Sequence, residues 1–312
     1  MKKMQPAITT LTYEMPTNQV GVGRYVDIAR DLSRVNRRSY RQGYQYAIGS
    51  ITITDDIGGV TDLDVSISTA GNSWPLQNAW KKGQALWMLM NKEVLDSNPS
   101  VQGKWADYKV LMTENQSGAN TLEPRDGAVG TYPAGEWNLA TYVVPQHDVN
   151  AVTGQVLPAE EWYACLIGPD DVPNKRFSLV KAYEESRATV QLDAPNTPAL
   201  LPDSFYLKLQ DDGSQDPELA AVIADSNESP PYSMVAGDYP GGAGFSFSEA
   251  MTRVARGVKN QYTPTLHLPG FAAECGLLYV AATRSAGSDN CRIQINLVPG
   301  EYKGVLAVPM GQ

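Results

Sequence analysis

The sequence predicts an all-β protein, an antiparallel sandwich with inserted helices and long loops. Three observations carry the prediction. Short segments alternating apolar and polar residues recur along the chain, with turn residues between them and no strand–helix–strand alternation. Gly 27 and Pro 21 are high for a helical protein of 312 residues and supply those turns. Tyr 16 and Trp 6 against Phe 5 favour half-buried strands and interfaces. With 42% hydrophobic residues, there is enough apolar material for a substantial core.

Taken in order, residues 1–24 read as extended, broken by Pro6, Pro16, Gly21 and Gly23. A helix is expected from Tyr25 to Gln42, with Gly43 as its stop. Residues 47–54 and 61–69 alternate as strands, the second with Leu63, Val65 and Ile67 on one face. Residues 74–95 read as a helix capped by Ser73, with Pro75 early and Asn98-Pro99 beyond its end. Its Leu76, Trp80, Trp87, Met90 and Val94 are expected to pack on a sheet, while Gly83 weakens it. Further strands are expected at 104–113, 136–145, 160–168, 175–183, 187–194 and 204–210. Short helices follow at 216–225 and 248–258, the latter with Ser246 and Glu249 at capping-box spacing. The chain closes with strands at 263–271, 276–284, 291–299 and 304–310.

Charge is unevenly placed. Residues 1–50 hold eight Lys/Arg against three Asp/Glu, while residues 51–312 hold seventeen against thirty-one, in a chain of net charge −9. This divides the chain into an arm with a basic amphipathic helix (1–45) and a sandwich domain with elaborated loops (46–312). On the expected helix, Arg30, Arg34, Arg37, Arg38 and Arg41 gather within a sector of about 100°, opposite Ile28, Ala29, Leu32 and Val35. A solvated helix face ordinarily mixes charge signs. Arginine's planar fork suits phosphate and carboxylate, and Tyr25, Tyr40, Tyr44 and Tyr46 are placed to stack on unpaired bases. The five arginines are therefore the candidate site for nucleic acid or another anionic partner, with Arg253, Arg256 and Lys259 as further contacts.

No motif points to catalysis. The two histidines, His147 and His267, exclude a histidine-built zinc site, and no GxSxG accompanies them. "GVGRYV" lacks a third glycine and "GGAGFS" lacks the Lys-Ser/Thr of a phosphate loop. The acidic pairs Asp55-Asp56, Glu160-Glu161, Asp170-Asp171 and Asp211-Asp212 read as turn acids, with calcium between subunits or a glycosidase acid and nucleophile as the alternatives. No cofactor is expected. Cys165, Cys275 and Cys291 read as buried thiols, with a Cys275–Cys291 pair left open. The N-terminal lysines lack the apolar core of a signal peptide, and no run reaches the ~18 apolar residues of a membrane helix. Synthesis in a cytoplasm is the expectation.

The segments "LSRVNRRSYRQGYQYAIGSITIT", "DSNESPPYS", "LPGFAAECGLLYV" and "LVPGEYKGV", spanning residues 32–306, resemble jelly-roll capsid (coat) proteins of small single-stranded DNA viruses. The resemblance implies a single jelly roll in preference to a double one, self-assembly into an icosahedral shell, location in the virion, and no enzyme activity. It further implies an N-terminal segment turned toward packaged, single-stranded nucleic acid. A balance of +5 is modest for that role, so a membrane or an internal protein stands as the alternative interior partner. A carbohydrate-binding or carbohydrate-cleaving sandwich and a phage tail or baseplate component are the rival functions.

Overall fold

The computed structural model describes residues 6–55, 61–103, 106–127, 130–144, 159–183, 251–260, 262–263 and 265–311. Eight strands build the body: β1 (Thr10–Thr17), β2 (Val22–Asp27), β3 (Tyr44–Asp55), β4 (Leu63–Thr69), β5 (Thr252–Lys259), β6 (Thr265–Ala273), β7 (Leu277–Arg284) and β8 (Asp289–Leu297). One sheet runs β1-β8-β3-β6 and the other β5-β4-β7-β2, with every neighbour antiparallel. Residues 307–309 extend the first sheet by pairing with Tyr44–Tyr46.

Strand periodicity places the core. Alternate residues Leu11, Tyr13 and Met15 of β1, Ile51 and Ile53 of β3, and Ile293 and Ile295 of β8 are buried, and register sets Tyr13 beside Ile293 and Ile293 beside Ile53. They join Leu63, Val65 and Ile67 of β4 and Leu278, Val280 and Ala282 of β7 in one apolar cluster. Each fully buried Leu, Ile or Val there contributes about 1.5–3 kcal/mol. Residues 10–17 are thus a core strand, where the sequence suggested part of a separate arm.

β7 is apolar on both faces. Leu278 and Val280 point into the sandwich, whereas Leu277 and Tyr279 join a second cluster outside the sheet. That cluster is built by the long connection between β4 and β5. Its helix α2 (Trp74–Ser97) is capped by Ser73, whose hydroxyl accepts from Leu76 N, and buries Leu76, Ala79, Trp80 and Gly83. A small sheet packs against it, with Thr141–Val144 antiparallel to Glu160–Cys165 and the latter parallel to Arg176–Ser178. Tyr108 and Tyr142 share a 2.7 Å hydroxyl contact, and Tyr142 donates to the Gly83 carbonyl at 2.8 Å. Gly83, read as a weakness, is what lets this layer approach the helix: a Cβ there would lie 2.7 Å from Leu179 Cδ2 and Tyr108 Oη.

Several expectations are corrected. The arginine helix is α1 (Ile28–Asn36), shorter than 25–42. Tyr25–Asp27 pair with Leu277–Tyr279 instead, and Arg37 turns left-handed at φ 53° to end the helix six residues before Gly43. Residues 252–259 are strand rather than helix, because antiparallel pairing with β4 overrides the helical pattern. Residues 106–113 form no regular strand; they run beside the small sheet through the Leu111–Cys165 bridge and the backbone bond from Ile167 N to the Met112 carbonyl. Val94 is 54% exposed rather than packed. The three cysteines are buried thiols, none of them in a disulfide, so Cys275 and Cys291 do not pair. The expected strands at 187–194 and 204–210, the helix at 216–225, His147, Asp56 and the Asp211-Asp212 pair lie outside the described residues.

Candidate nucleic-acid interface

The five arginines divide into two groups. Asp27 starts α1 by accepting from Arg30 N at 3.0 Å, and its other oxygen accepts from Gln42 Nε2 at 2.8 Å and Trp137 Nε1 at 3.0 Å. The Arg30 side chain turns inward. Its Nε donates to Asp31 Oδ1 at 2.8 Å, Nη2 to the Leu122 carbonyl at 2.5 Å, and Nη1 lies 3.4 Å from Glu123. Arg34 binds the other oxygen of Glu123. Both guanidinium groups line a cavity of about 400 Å³ with Asp27, Glu123, Trp137 and Arg176.

Burial governs the acids here. It raises the Asp31 carboxyl to about 7, against the opposing pull of Arg30 and the hydroxyl of Tyr13, which donates to Oδ2 at 2.8 Å. Burial also raises Asp27, despite its three donors. The expectation of one exposed five-arginine face is therefore corrected: Arg30 is 8% exposed and Arg34 is held at the cavity wall, since two buried acids and Glu123 require their charge.

Arg37, Arg38 and Arg41 are exposed. The left-handed turn at Arg37 carries them off the helix and toward the turn at 299–305. There Lys303 donates to the Ser39 carbonyl, and its ammonium lies 5.8 Å from the centroid of the Tyr40 ring and 5.5 Å from that of Tyr302. Burial, then the charges of Arg41 and Arg38, hold the Lys303 ammonium below the usual lysine range, with Asp107 opposing them. Asp107 is also 3.6 Å from Arg41 Nε. Tyr302 stacks on Tyr44 at 4.0 Å between centroids. The result is a surface of three exposed arginines and the half-buried Lys303, able to hold phosphates, beside the half-buried Tyr44–Tyr302 pair; Tyr25, Tyr40 and Tyr46, expected to stack on bases, are at most 1% exposed and pack in the core.

Sequence reasoning missed Lys303 and Tyr302, which lie more than 260 positions from the arginines. Their signal was the adjacent Tyr-Lys in "LVPGEYKGV". Of the further contacts expected, Arg253 is exposed, Arg256 is paired with Asp64 at 2.6 Å, and Lys259 is 1% exposed and bound to Asp55 at 2.7 Å. Lys259 is therefore a core residue, drawn inward by a buried carboxylate.

Of the acidic pairs, Asp56 and Asp211-Asp212 lie outside the described residues, and Asp55, Glu160, Asp170 and Asp171 have partners within the chain. Glu160 binds Lys175, Asp170 binds Lys181, and Asp171 accepts from Asn174 Nδ2 at 2.7 Å. Among the described residues no group of three or more His, Cys, Asp or Glu is arranged to hold a metal ion. His267 is a strand residue whose Nδ1 lies 3.1 Å from Thr52 Oγ1. Among the described residues no helix is long and apolar enough to cross a membrane. No family model, curated protein or solved structure matches this chain.

Proposed function

We propose that the chain is a viral major capsid protein: a single elaborated jelly roll, many copies of which close into an icosahedral shell around a single-stranded genome. The strand order carries the proposal. Strands 1 and 8, 2 and 7, 3 and 6, and 4 and 5 are each hydrogen-bonded neighbours, as in one long antiparallel ribbon folded at the β4–β5 end. Pairing β8 with β3 and β7 with β4 rolls that ribbon into two four-stranded sheets. This supports a jelly roll, since it is how two interlocked Greek keys arise from one ribbon.

Jelly rolls also serve as lectins and enzymes, so the fold alone does not decide the function. Against a sugar groove, Trp74, Trp80, Trp87, Trp137 and Trp162 are all buried or half-buried in packing. In favour of a shell, Arg37, Arg38, Arg41 and Lys303 offer the genome a basic surface on an otherwise acidic chain. The role is structural, exercised in the virion. Sedimentation velocity of the purified full chain tests it: large, uniform particles support the proposal, and a monomer or trimer under all salt conditions contradicts it.

A further inference from the structure

Arg41 belongs to two features at once. It stands on the basic surface with Arg37, Arg38 and Lys303, and its backbone N–H donates to Tyr302 Oη at 3.1 Å. It also lines a cavity of about 440 Å³ formed by the second half of α2 and the turns that follow it. That volume falls within the range of about 300–1,000 Å³ common to small-molecule sites. The surface and the cavity meet at this side chain.

The cavity walls are aromatic and apolar. Trp87, half-buried, packs its ring against Tyr108 at 5.7 Å between centroids and also lines the cavity. Met88, Val94 and Val101 line it too, each more than half exposed, so apolar wall is left facing water. Asn91 Nδ2 donates to the Trp87 carbonyl at 2.8 Å, which leaves Asn91 Oδ1 as an acceptor. The charges of the lining balance, Arg41 and Lys92 against Asp96 and Asp107. Such a cavity suits a flat, uncharged, hydrogen-bonding ring better than a phosphate. The Arg41 side chain, by contrast, is 61% exposed at the rim. Its closest approach to Asp107 is 3.6 Å, longer than a hydrogen bond, so its planar fork can still receive a phosphate.

We propose that this cavity is a nucleobase site. One base of a single strand enters beside Trp87, while the phosphates that flank it lie on Arg41 and the neighbouring Arg37, Arg38 and Lys303. The inference rests on the nucleic-acid role of the basic surface and adds a base-reading element to it. With Asn91 Oδ1 as the acceptor, a base that carries an exocyclic amino group is held better than one that does not. Cytosine is therefore preferred to thymine.

Fluorescence anisotropy of labelled single strands on the full chain tests it, comparing oligo(dC), oligo(dT) and an abasic strand with the same number of phosphates at one salt concentration. Oligo(dC) is expected to bind about fivefold tighter than oligo(dT), and the abasic strand about tenfold more weakly than oligo(dT). Val94→Glu, at an exposed position of the wall, brings oligo(dC) down to the abasic strand with circular dichroism unchanged. Asn91→Leu lowers oligo(dC) to the level of oligo(dT). A strand carrying 5-iodocytosine is expected to photo-link to the peptide that holds Trp87. Equal affinity for all three strands, lost when Arg37, Arg38 and Arg41 are replaced with alanine, overturns the base site and leaves the basic surface standing. Photo-linking to Tyr44 or Tyr302 overturns it as well. If Val94→Glu abolishes assembly and spares strand binding, the cavity is a contact between copies and the base site is overturned. Absence of binding by any strand at low salt overturns the site together with the nucleic-acid role of the surface, and closed shells in that sample leave the capsid reading standing.

Discussion

Arg284 of β7 grips Asp55 of β3 with both terminal nitrogens, at 2.9 and 3.0 Å, and so ties one sheet of the sandwich to the other. Lys259 of β5 joins the same carboxylate at 2.7 Å, and Arg284 Nε donates to Thr17 of β1 at 3.0 Å. The three charged side chains are at most 3% exposed. Removing one partner leaves buried charge without compensation, which costs about 3–5 kcal/mol. Asp55→Asn is expected to lower stability by about that amount, measured by urea unfolding. Arg284→Ala is expected to do the same.

The same clamp sets an acid limit. Burial alone would raise the Asp55 carboxyl, but the hydrogen bonds from Arg284 and Lys259 prevail and lower it. A lowered folded-state value makes this contribution complete above the unfolded aspartate range, near 3.9. It disappears as pH falls through the folded value. The wild type is expected to lose its stability advantage over Asp55→Asn below about pH 4.

Asp31 acts in the opposite sense and in a different window. Its carboxyl is raised to about 7, so its proton is favoured by the folded state. Its contribution is greatest below the unfolded value of about 3.9 and is lost as pH rises toward 7. Asp31→Asn keeps an acceptor for Arg30 Nε and an uncharged partner for Tyr13. The variant is expected to remove this fall in stability between pH 4 and 7, seen as a flatter profile of melting temperature against pH.

The division of the arginines is separable by experiment. Replacing Arg37, Arg38 and Arg41 with alanine is expected to weaken binding of a single-stranded oligonucleotide. Three lost phosphate contacts reduce the slope of log affinity against log salt by about 2. Arg30→Ala is expected to leave that slope unchanged while lowering stability by about 3 kcal/mol, because Asp31 loses its buried partner. Filter binding across a salt series, paired with denaturant unfolding, reads both.

Gly83→Ala reverses the usual helix rule. Alanine in an exposed helix gains about 1 kcal/mol over glycine. Here its methyl meets Leu179 and Tyr108 at 2.7 Å, and overpacking costs about 1–3 kcal/mol. A net loss of about 1 kcal/mol is expected in urea unfolding.

The sandwich was legible wherever one face of a strand is buried. Leu63, Val65 and Ile67 alternate because only one side of β4 meets the core, and the apolar face of α1 was visible at Ile28, Ala29 and Leu32. The 252–259 segment was misread because a bulge at Arg253–Ala255 interrupts its alternation, leaving a spacing that imitates a helix. The inward turn of Arg30 was hidden because Leu122 and Glu123, which receive it, are some ninety residues away. The contribution of Lys303 was hidden for the same reason. A helical projection of residues 25–42 treats every arginine alike, whereas the left-handed residue at 37 separates those bound inside from those exposed.

Assembly into a shell is read by electron microscopy of the purified protein, with absorbance recorded at 260 and 280 nm. Closed isometric particles with excess absorbance at 260 nm, lost from the Arg37, Arg38 and Arg41 triple variant while its particles still form, are the predicted result. Discrete monomers or small rings under every salt condition would contradict it.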